Sequence, residues 1–212
     1  MSEQRMTIEP AAFWDDLYNG RDAVWSGRPN EALIRETGSL SPGSALDLGC
    51  GEGADAIWLA RHDWSVVGVD IAQAALDKAK VHAAQAGVRD RIAWYHNDLA
   101  TPLPFQGFDL VTAMFLHAPF PMPTEDILRA GVAAVAPGGH FLQVNHDHEE
   151  SRHAGHSDVD LPSPNEILAT LRLDMTQWRS IIIGAFEKDV IDPDGRSTSR
   201  TDNIVMVQRV SA

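Results

Sequence analysis

The chain has 212 residues, 44% of them hydrophobic, and a formal charge of −13 from 30 acidic and 17 basic side chains. That length and apolar content suit one globular domain with a sizeable core, and no apolar run approaches the roughly 20 residues of a membrane-spanning helix. The acidic balance, with Lys and Arg unclustered, counts against nucleic acid as a partner, and the single cysteine, Cys50, excludes an internal disulfide and a multi-cysteine zinc site. Met1 to Pro10 is polar rather than signal-like, so a cytoplasmic protein with no membrane partner is expected.

The first 40 residues are set apart by Phe13-Trp14-Asp15-Asp16-Leu17-Tyr18 and Val24-Trp25-Ser26-Gly27-Arg28-Pro29-Asn30. Indole faces such as Trp14 and Trp25 stack on flat bases or attract cations, and Arg28 can grip a carboxylate with two parallel bonds. A lid over a site and a cap that merely covers apolar surface both fit this composition. The expected organisation is a single domain, with residues 1–40 as N-terminal cap or lid and 41–212 as core.

Next comes Ala45-Leu46-Asp47-Leu48-Gly49-Cys50-Gly51-Glu52-Gly53-Ala54, then Val66-Val67-Gly68-Val69-Asp70. A short apolar strand leads into three alternating glycines and a helix start, and a second apolar strand ends in a carboxylate. Glycines at that spacing let the backbone turn tightly and approach a ligand closely. The carboxylate, 21 positions after Gly49, stands where an acid grips a ribose diol in nucleotide-binding folds. A nucleoside-containing ligand is implied. Gly49, Gly51 and Ala54 also satisfy the dinucleotide pattern G-x-G-x-x-G/A, which keeps a nicotinamide cofactor open.

Asp47 two residues before the first glycine, the third glycine at Gly53 and a further acid at Asp98 resemble the class I S-adenosylmethionine-dependent methyltransferases. The resemblance implies that the loop of Asp47, Gly49, Gly51 and Gly53 cradles the methionine part of the cofactor. It implies that Asp70 holds the ribose, that Ile71 packs on the adenine, and that Asn97-Asp98-Leu99, after a third strand from Arg91 to His96, reads the adenine edge. Gly107-Phe108-Asp109-Leu110-Val111 resembles the family's fourth strand, whose end, Ala113 to His117 with Phe115, faces cofactor and substrate. Pro137-Gly138-Gly139 matches the turn before the fifth strand. The similarity runs from about residue 40 to about residue 145.

Between these segments the apolar spacing predicts a helix through Ala72, Ala75, Leu76, Ala79 and Ala83 ending near Gly87, and another from Thr124 to Val135. A third helix is expected from Pro164 after Ser163 to Leu171, then strands over Trp178–Val190 and Asn203–Val210. The expected fold is a Rossmann-like, doubly wound α/β sheet of seven mostly parallel strands with an antiparallel closing strand. His140, His146, His148, His153 and His156 crowd the segment after the fifth strand among several acids. They read either as a solvated loop over the substrate mouth or as a metal-binding tract, and no metal is assigned. Cys50 reads as loop filler.

No Asn-Pro-Pro-Tyr run follows the fourth strand, where amide and adenine N-methyltransferases of this fold carry one; the place reads Leu116-His117-Ala118-Pro119. The short chain looks like the small-molecule methyltransferases, among them the thiopurine and tellurite-resistance groups. The expectation is methyl transfer from S-adenosylmethionine to a small-molecule S, N or O nucleophile by a monomer or homodimer. His117 and His146 are the candidate bases, and Trp14 and His148 the candidate substrate contacts. The alternatives are an NAD-dependent oxidoreductase and a non-catalytic cofactor- or metal-binding protein. The chain's acidity favours an uncharged or cationic acceptor.

Overall fold

The computed structural model describes residues 9–147, 161–191 and 197–211. Five strands run parallel: β1 (Ser44–Leu48), β2 (Ser65–Asp70), β3 (Ile92–His96), β4 (Phe108–Met114) and β5 (Val135–His146). β7 (Ser197–Arg209) pairs antiparallel with β5, and β6 (Trp178–Ile191) pairs antiparallel with β7. The strand order is β3-β2-β1-β4-β5-β7-β6. The chain therefore leaves β1 toward one side of the sheet and β4 toward the other. A crevice opens between their carboxyl ends, where ligands of such sheets bind.

Among the described residues six α-helices cover the sheet: α1 (Pro10–Asn19), α2 (Glu31–Thr37), α3 (Ala54–Arg61), α4 (Gln73–Gln85), α5 (Thr124–Ala133) and α6 (Pro164–Thr170). Alternation along the strands divides the core in two. Leu46, Leu48, Val111, Phe141, Val205 and Val207 pack with Ile127, Leu128 and Val132 of α5 and Ile167 of α6. On the opposite face Ala45, Leu110, Leu142, Val144, Ile204 and Met206 pack with Leu33 of α2, Ala56 and Leu59 of α3 and Ala83 of α4. Both faces of the central strands are covered, which is why β1 reads Ala-Leu-Asp-Leu with no exposed position. Asp47 follows the second set, so its carboxylate points toward α2 and α3 and not toward solvent.

Two boundaries differ from expectation. α5 ends at Ala133 and β5 starts at Val135, so Pro137-Gly138-Gly139 lies within the strand and not before it. There the pairing with β4 jumps from Phe108↔Val135 to Leu110↔His140. Pro137 has no N–H to give the ladder and Gly138 takes φ 85°, so the extra residues bulge out and the strand resumes at His140. β7 begins at Ser197, ahead of the expected Asn203. Ser197 to Thr201 are polar and pair only with β6, as a two-stranded ribbon rising beyond the end of β5, where His146 pairs with Asp202.

Candidate cofactor and acceptor site

The glycine loop is tied down on the β2 side. Gly49 and Cys50 donate their backbone N–H to the Val69 carbonyl at 2.8 and 3.0 Å. Gly53 caps the start of α3 with φ 84°, and a β-carbon there would stand 2.6 Å from Trp94 Cη2. Only glycine fits, because both the left-handed backbone and the indole forbid a side chain. Asp70 closes the loop: Oδ2 accepts from the Gly51 N–H at 2.8 Å and Oδ1 from the Ala72 N–H at 2.9 Å. Burial pushes its carboxyl up, while the Ala72, Gly51 and Ile71 amides pull it down. Each oxygen keeps a second lone-pair direction for a hydroxyl donor.

Asp47 is the unsatisfied member of this group. Its Oδ1 accepts from Thr112 Oγ1 at 2.8 Å, whereas Oδ2 is buried without a partner. Burial above all, and then the neighbouring Asp55, push its carboxyl up to about 7, with Thr112 opposing. A buried acceptor left open costs about 1–3 kcal/mol, which a donor or cation arriving from outside would recover. Asp55 is itself satisfied by the Asn30 backbone N–H at 2.7 Å and Asn30 Nδ2 at 2.6 Å. Cys50 is buried among these acids, and burial with Asp70 and Asp47 drives its thiol well above the ordinary range. A neutral thiol of that kind is a poor nucleophile, in line with the filler reading.

Beyond Asp70, Ile71, His96, Asn97, Asp98 and Thr101 line a cleft of about 370 Å³ with Glu9, Pro10 and Ala11 at the start of α1. His96 Nε2 lies 2.8 Å from the Ile71 carbonyl. Asp98 is exposed, and its Oδ1 accepts from the Ala100 N–H at 2.9 Å, which shapes the turn and leaves Oδ2 outward. Leu99 differs from expectation: it is 9% exposed and belongs to the core on the α5 face. Its apolar side chain packs beneath the cleft.

The N-terminal segment covers the glycine loop. Asp15 of α1 caps α4 by accepting from the Ala74 N–H at 2.8 Å. Glu52, inside the glycine motif and 5% exposed, accepts from the Val24 and Trp25 N–H groups at 3.2 Å each and from Lys78 at 3.2 Å. Lys78 in turn reaches the Arg21 and Asp22 carbonyls at 2.5 and 3.1 Å. Tyr18 Oη accepts from Trp25 Nε1 at 2.9 Å and stands 3.1 Å from where a Gly51 β-carbon would be. Phe13 and Trp14 meet Phe120, after β4, with ring centroids 5.4 and 6.4 Å apart. Glu52, Lys78 and Asp15 escaped the sequence reading, although an acid between two motif glycines was a visible signal. Arg28 is exposed, its N–H bonded to Ser26 Oγ, and its neighbours Gly27 and Pro29 line a groove against α3 and α4. No described contact joins Arg28 to Asp47, Asp70 or the loop.

On the other side of the crevice the chain leaves β4 through Phe115, which takes φ 51° and donates its N–H to the Val144 carbonyl at 2.7 Å. This turn sets Leu116 against Gly49, where a β-carbon would meet Leu116 Cδ1 at 2.6 Å. It also brings the next residue, His117, to His146, with ring centroids 5.6 Å apart. His146 stacks obliquely on Phe115 at 4.5 Å, and its Nδ1 lies 3.3 Å from Asp202 Oδ1. Lys188 of β6 bonds the other Asp202 oxygen and lies 5.2 Å from the Phe115 ring centroid. The two candidate bases are thus brought together. His148, His153 and His156 lie outside the described residues. His140 stands six positions before His146 within β5, paired with Leu110, and burial and then Arg179 lower its pKa. Among the described residues no three His, Cys, Asp or Glu side chains are grouped to hold a metal, and no helix is long and apolar enough to cross a membrane.

The sheet order, the glycine loop and the acid at the end of β2 define a class of protein. Residues 45–139 match the methyltransferase domain family, and that segment is similar to the class I S-adenosylmethionine-dependent methyltransferases. The nicotinamide alternative gives way to this assignment. Over 153 residues, 66% of this chain, the sequence is 33% identical to 2-heptyl-1-hydroxyquinolin-4(1H)-one methyltransferase of Mycobacteroides abscessus. Over 105 residues, 46% of this chain, it is 36% identical to ribosomal RNA small subunit methyltransferase C of Alcanivorax borkumensis. The matches span 61% and 30% of those two proteins. The fold is similar to that of N-methyltransferase NodS of Bradyrhizobium japonicum WM9 in complex with S-adenosyl-L-homocysteine. There the TM-score is 0.71 at 16% identity, covering 95% of this chain and 99% of that one.

Proposed function

We propose that the protein transfers the methyl group of S-adenosylmethionine to a small organic acceptor. The carrying observation is the buried, partnerless Asp47 Oδ2 at the end of β1, just before a glycine loop that Asp70 closes. An open carboxylate oxygen fits the cofactor's ammonium, the free lone pairs of Asp70 fit its ribose diol, and the cleft of Ile71, His96 and Asp98 fits its adenine. Tyr18 and Trp25 stand over the Gly51 end of this line, with Trp14 packed beside Tyr18. When bound, the sulfonium supplies an already activated methyl group. The chain's own task is to hold the acceptor in line with it between Phe115, His117 and His146, and positioning of that kind supplies roughly 7–11 kcal/mol of barrier lowering.

A small acceptor is supported by the acidity of the chain and by the quinolone methyltransferase relative. The family match covers residues 45–139 only, however, and the relatives are named for a quinolone and for ribosomal RNA. The deciding experiment measures S-adenosylhomocysteine formation with 2-heptyl-1-hydroxyquinolin-4(1H)-one, a set of phenols, amines and thiols, and a ribosomal RNA fragment. Turnover with a small molecule and not with RNA is the expected result. RNA as the best acceptor would overturn the acceptor class, and no turnover with any of them would count against the activity.

A further inference from the structure

From the contacts around His146 we infer that Asp202 fixes that imidazole as its Nδ1–H tautomer, which leaves Nε2 as the base that takes a proton from an acceptor O–H or N–H. Lys188, on the far oxygen of Asp202, is a second positioning residue. The inference rests on the methyltransferase reading and narrows the acceptor class of that site. An acidic aromatic thiol, largely thiolate near neutral pH, needs no such base, whereas a hydroxyl or an ammonium does.

The geometry constrains the ring. Asp202 is 2% exposed, and its two oxygens face His146 Nδ1 and the Lys188 ammonium. A carboxylate bound to an ammonium offers only acceptors, so the imidazole must donate from Nδ1. The His146 side chain is 35% exposed, and among the described residues Nε2 has no protein partner. The other groups facing it are the His117 and Phe115 rings, with Asp147 next in the chain and Arg200 opposite Lys188 on the ladder. Through Leu116, which lies against Gly49, this cluster borders the methionine end of the cofactor site.

The step balances without a further reagent. Nε2 accepts the acceptor's proton, and the freed oxygen or nitrogen pair forms the bond to the methyl carbon. The carbon–sulfur pair returns to sulfur, giving S-adenosylhomocysteine, and the imidazolium releases its proton to water as products leave. The local arrangement replaces the expectation drawn from net charge. Screening over about 8–10 Å makes these few groups weigh more than the chain's total of −13. A weakly acidic hydroxyl, as on a phenol or N-hydroxy ring, suits them best.

Long-range 1H–15N spectra of protein labelled at histidine, taken at pH 8.5 where free imidazoles of pKa about 6.5 are neutral, test the tautomer without any acceptor. His146 is identified by the signals lost in His146→Gln. The wild type should show the Nδ1–H pattern, and Asp202→Asn, whose amide can donate to Nδ1, should convert it to Nε2–H. An Nε2–H pattern in the wild type overturns the proposal. With the hydroxyquinolone as probe, Asp202→Asn and His146→Gln should each lower kcat about 100-fold or more and leave KM for S-adenosylmethionine within about twofold. Turnover of 4-nitrothiophenol should survive in His146→Gln, which keeps the test decisive if Asp202→Asn folds poorly. Equal loss on thiol and hydroxyl acceptors, or a wild type that methylates only the thiol, refutes the base. A wild type that methylates nothing fails the methyltransferase reading instead, and the spectra still decide the tautomer.

Discussion

Asp47 is where burial and charge meet most closely. Its carboxyl rises from 3.8 to about 7 in the folded chain. Between those values the folded protein holds a proton that the unfolded chain has released, so stability without cofactor falls as pH rises across that window. Asp55 and Asp70, also raised by burial, add to the same slope. The melting temperature should therefore be higher near pH 5 than near pH 8 by an amount that Asp47→Asn reduces, and an unchanged difference in the variant would refute the account. Cofactor binding in the proposed mode has the opposite slope, because an ammonium on Asp47 would pair with the ionised form. Affinity for S-adenosylmethionine should strengthen as pH rises through about 7, and Asp47→Asn should flatten that trend in calorimetric titrations.

Asp70 serves two ends, since the oxygens offered to a ribose also hold the Gly51 and Ala72 amides. Asp70→Ala would orphan both buried donors and cost stability as well as affinity. Asp70→Asn keeps one acceptor for the backbone, and is expected to weaken S-adenosylmethionine by about tenfold to a hundredfold, from a loss of about 1–3 kcal/mol. Wild-type affinity in a folded Asp70→Asn would remove the diol from this residue.

Among the elements, the strap between α1 and α2 is held by side chains and not by a sheet or helix of its own. Glu52 carries two strap amides and Lys78 two strap carbonyls. Glu52→Ala should free the strap while the Rossmann-like core stays intact. Amide exchange in residues 21–30 should rise severalfold, and S-adenosylmethionine should bind more weakly with a faster off-rate. Unchanged exchange in that segment would mean that α1 packing alone holds it. Tyr18 and Trp14 pack on Ala72 and Ala75, while Tyr18 and Trp25 also stand over Gly51.

What could be read in advance follows from the reach of the physics involved. The glycine loop, the acid after β2 and the buried strands are local patterns, with special backbone geometry or continuous apolar runs, and they lie where expected. The bulge at Pro137 and the ribbon from Ser197 to Thr201 depend on which strand is the neighbour, and no periodicity encodes that. Asp202, 56 positions after His146, reaches it only because β7 inserts between β5 and β6. Leu99 was carried over with the acid before it, although the same turn exposes Asp98 and buries Leu99.

At the scale of the whole molecule, a parallel core supplies rigid strand ends, and the chain places its chemistry on the loops that leave them. The glycine loop and Asp70 follow β1 and β2, His117 follows β4, and His146 ends β5. The N-terminal strap closes one side, and the β6–β7 ribbon stands on the other. The proposed function depends on one arrangement: a nucleoside in the cleft beyond Asp70, and a cation on the unpartnered oxygen of Asp47. Calorimetric titration at pH 8 with S-adenosyl-L-homocysteine, S-adenosylmethionine and NADH tests it most directly. The predicted result is one site per chain for both adenosyl ligands, weakened in Asp47→Asn and Asp70→Asn, with no heat from NADH. Binding of NADH in place of the adenosyl ligands, or adenosyl binding indifferent to both substitutions, would contradict it.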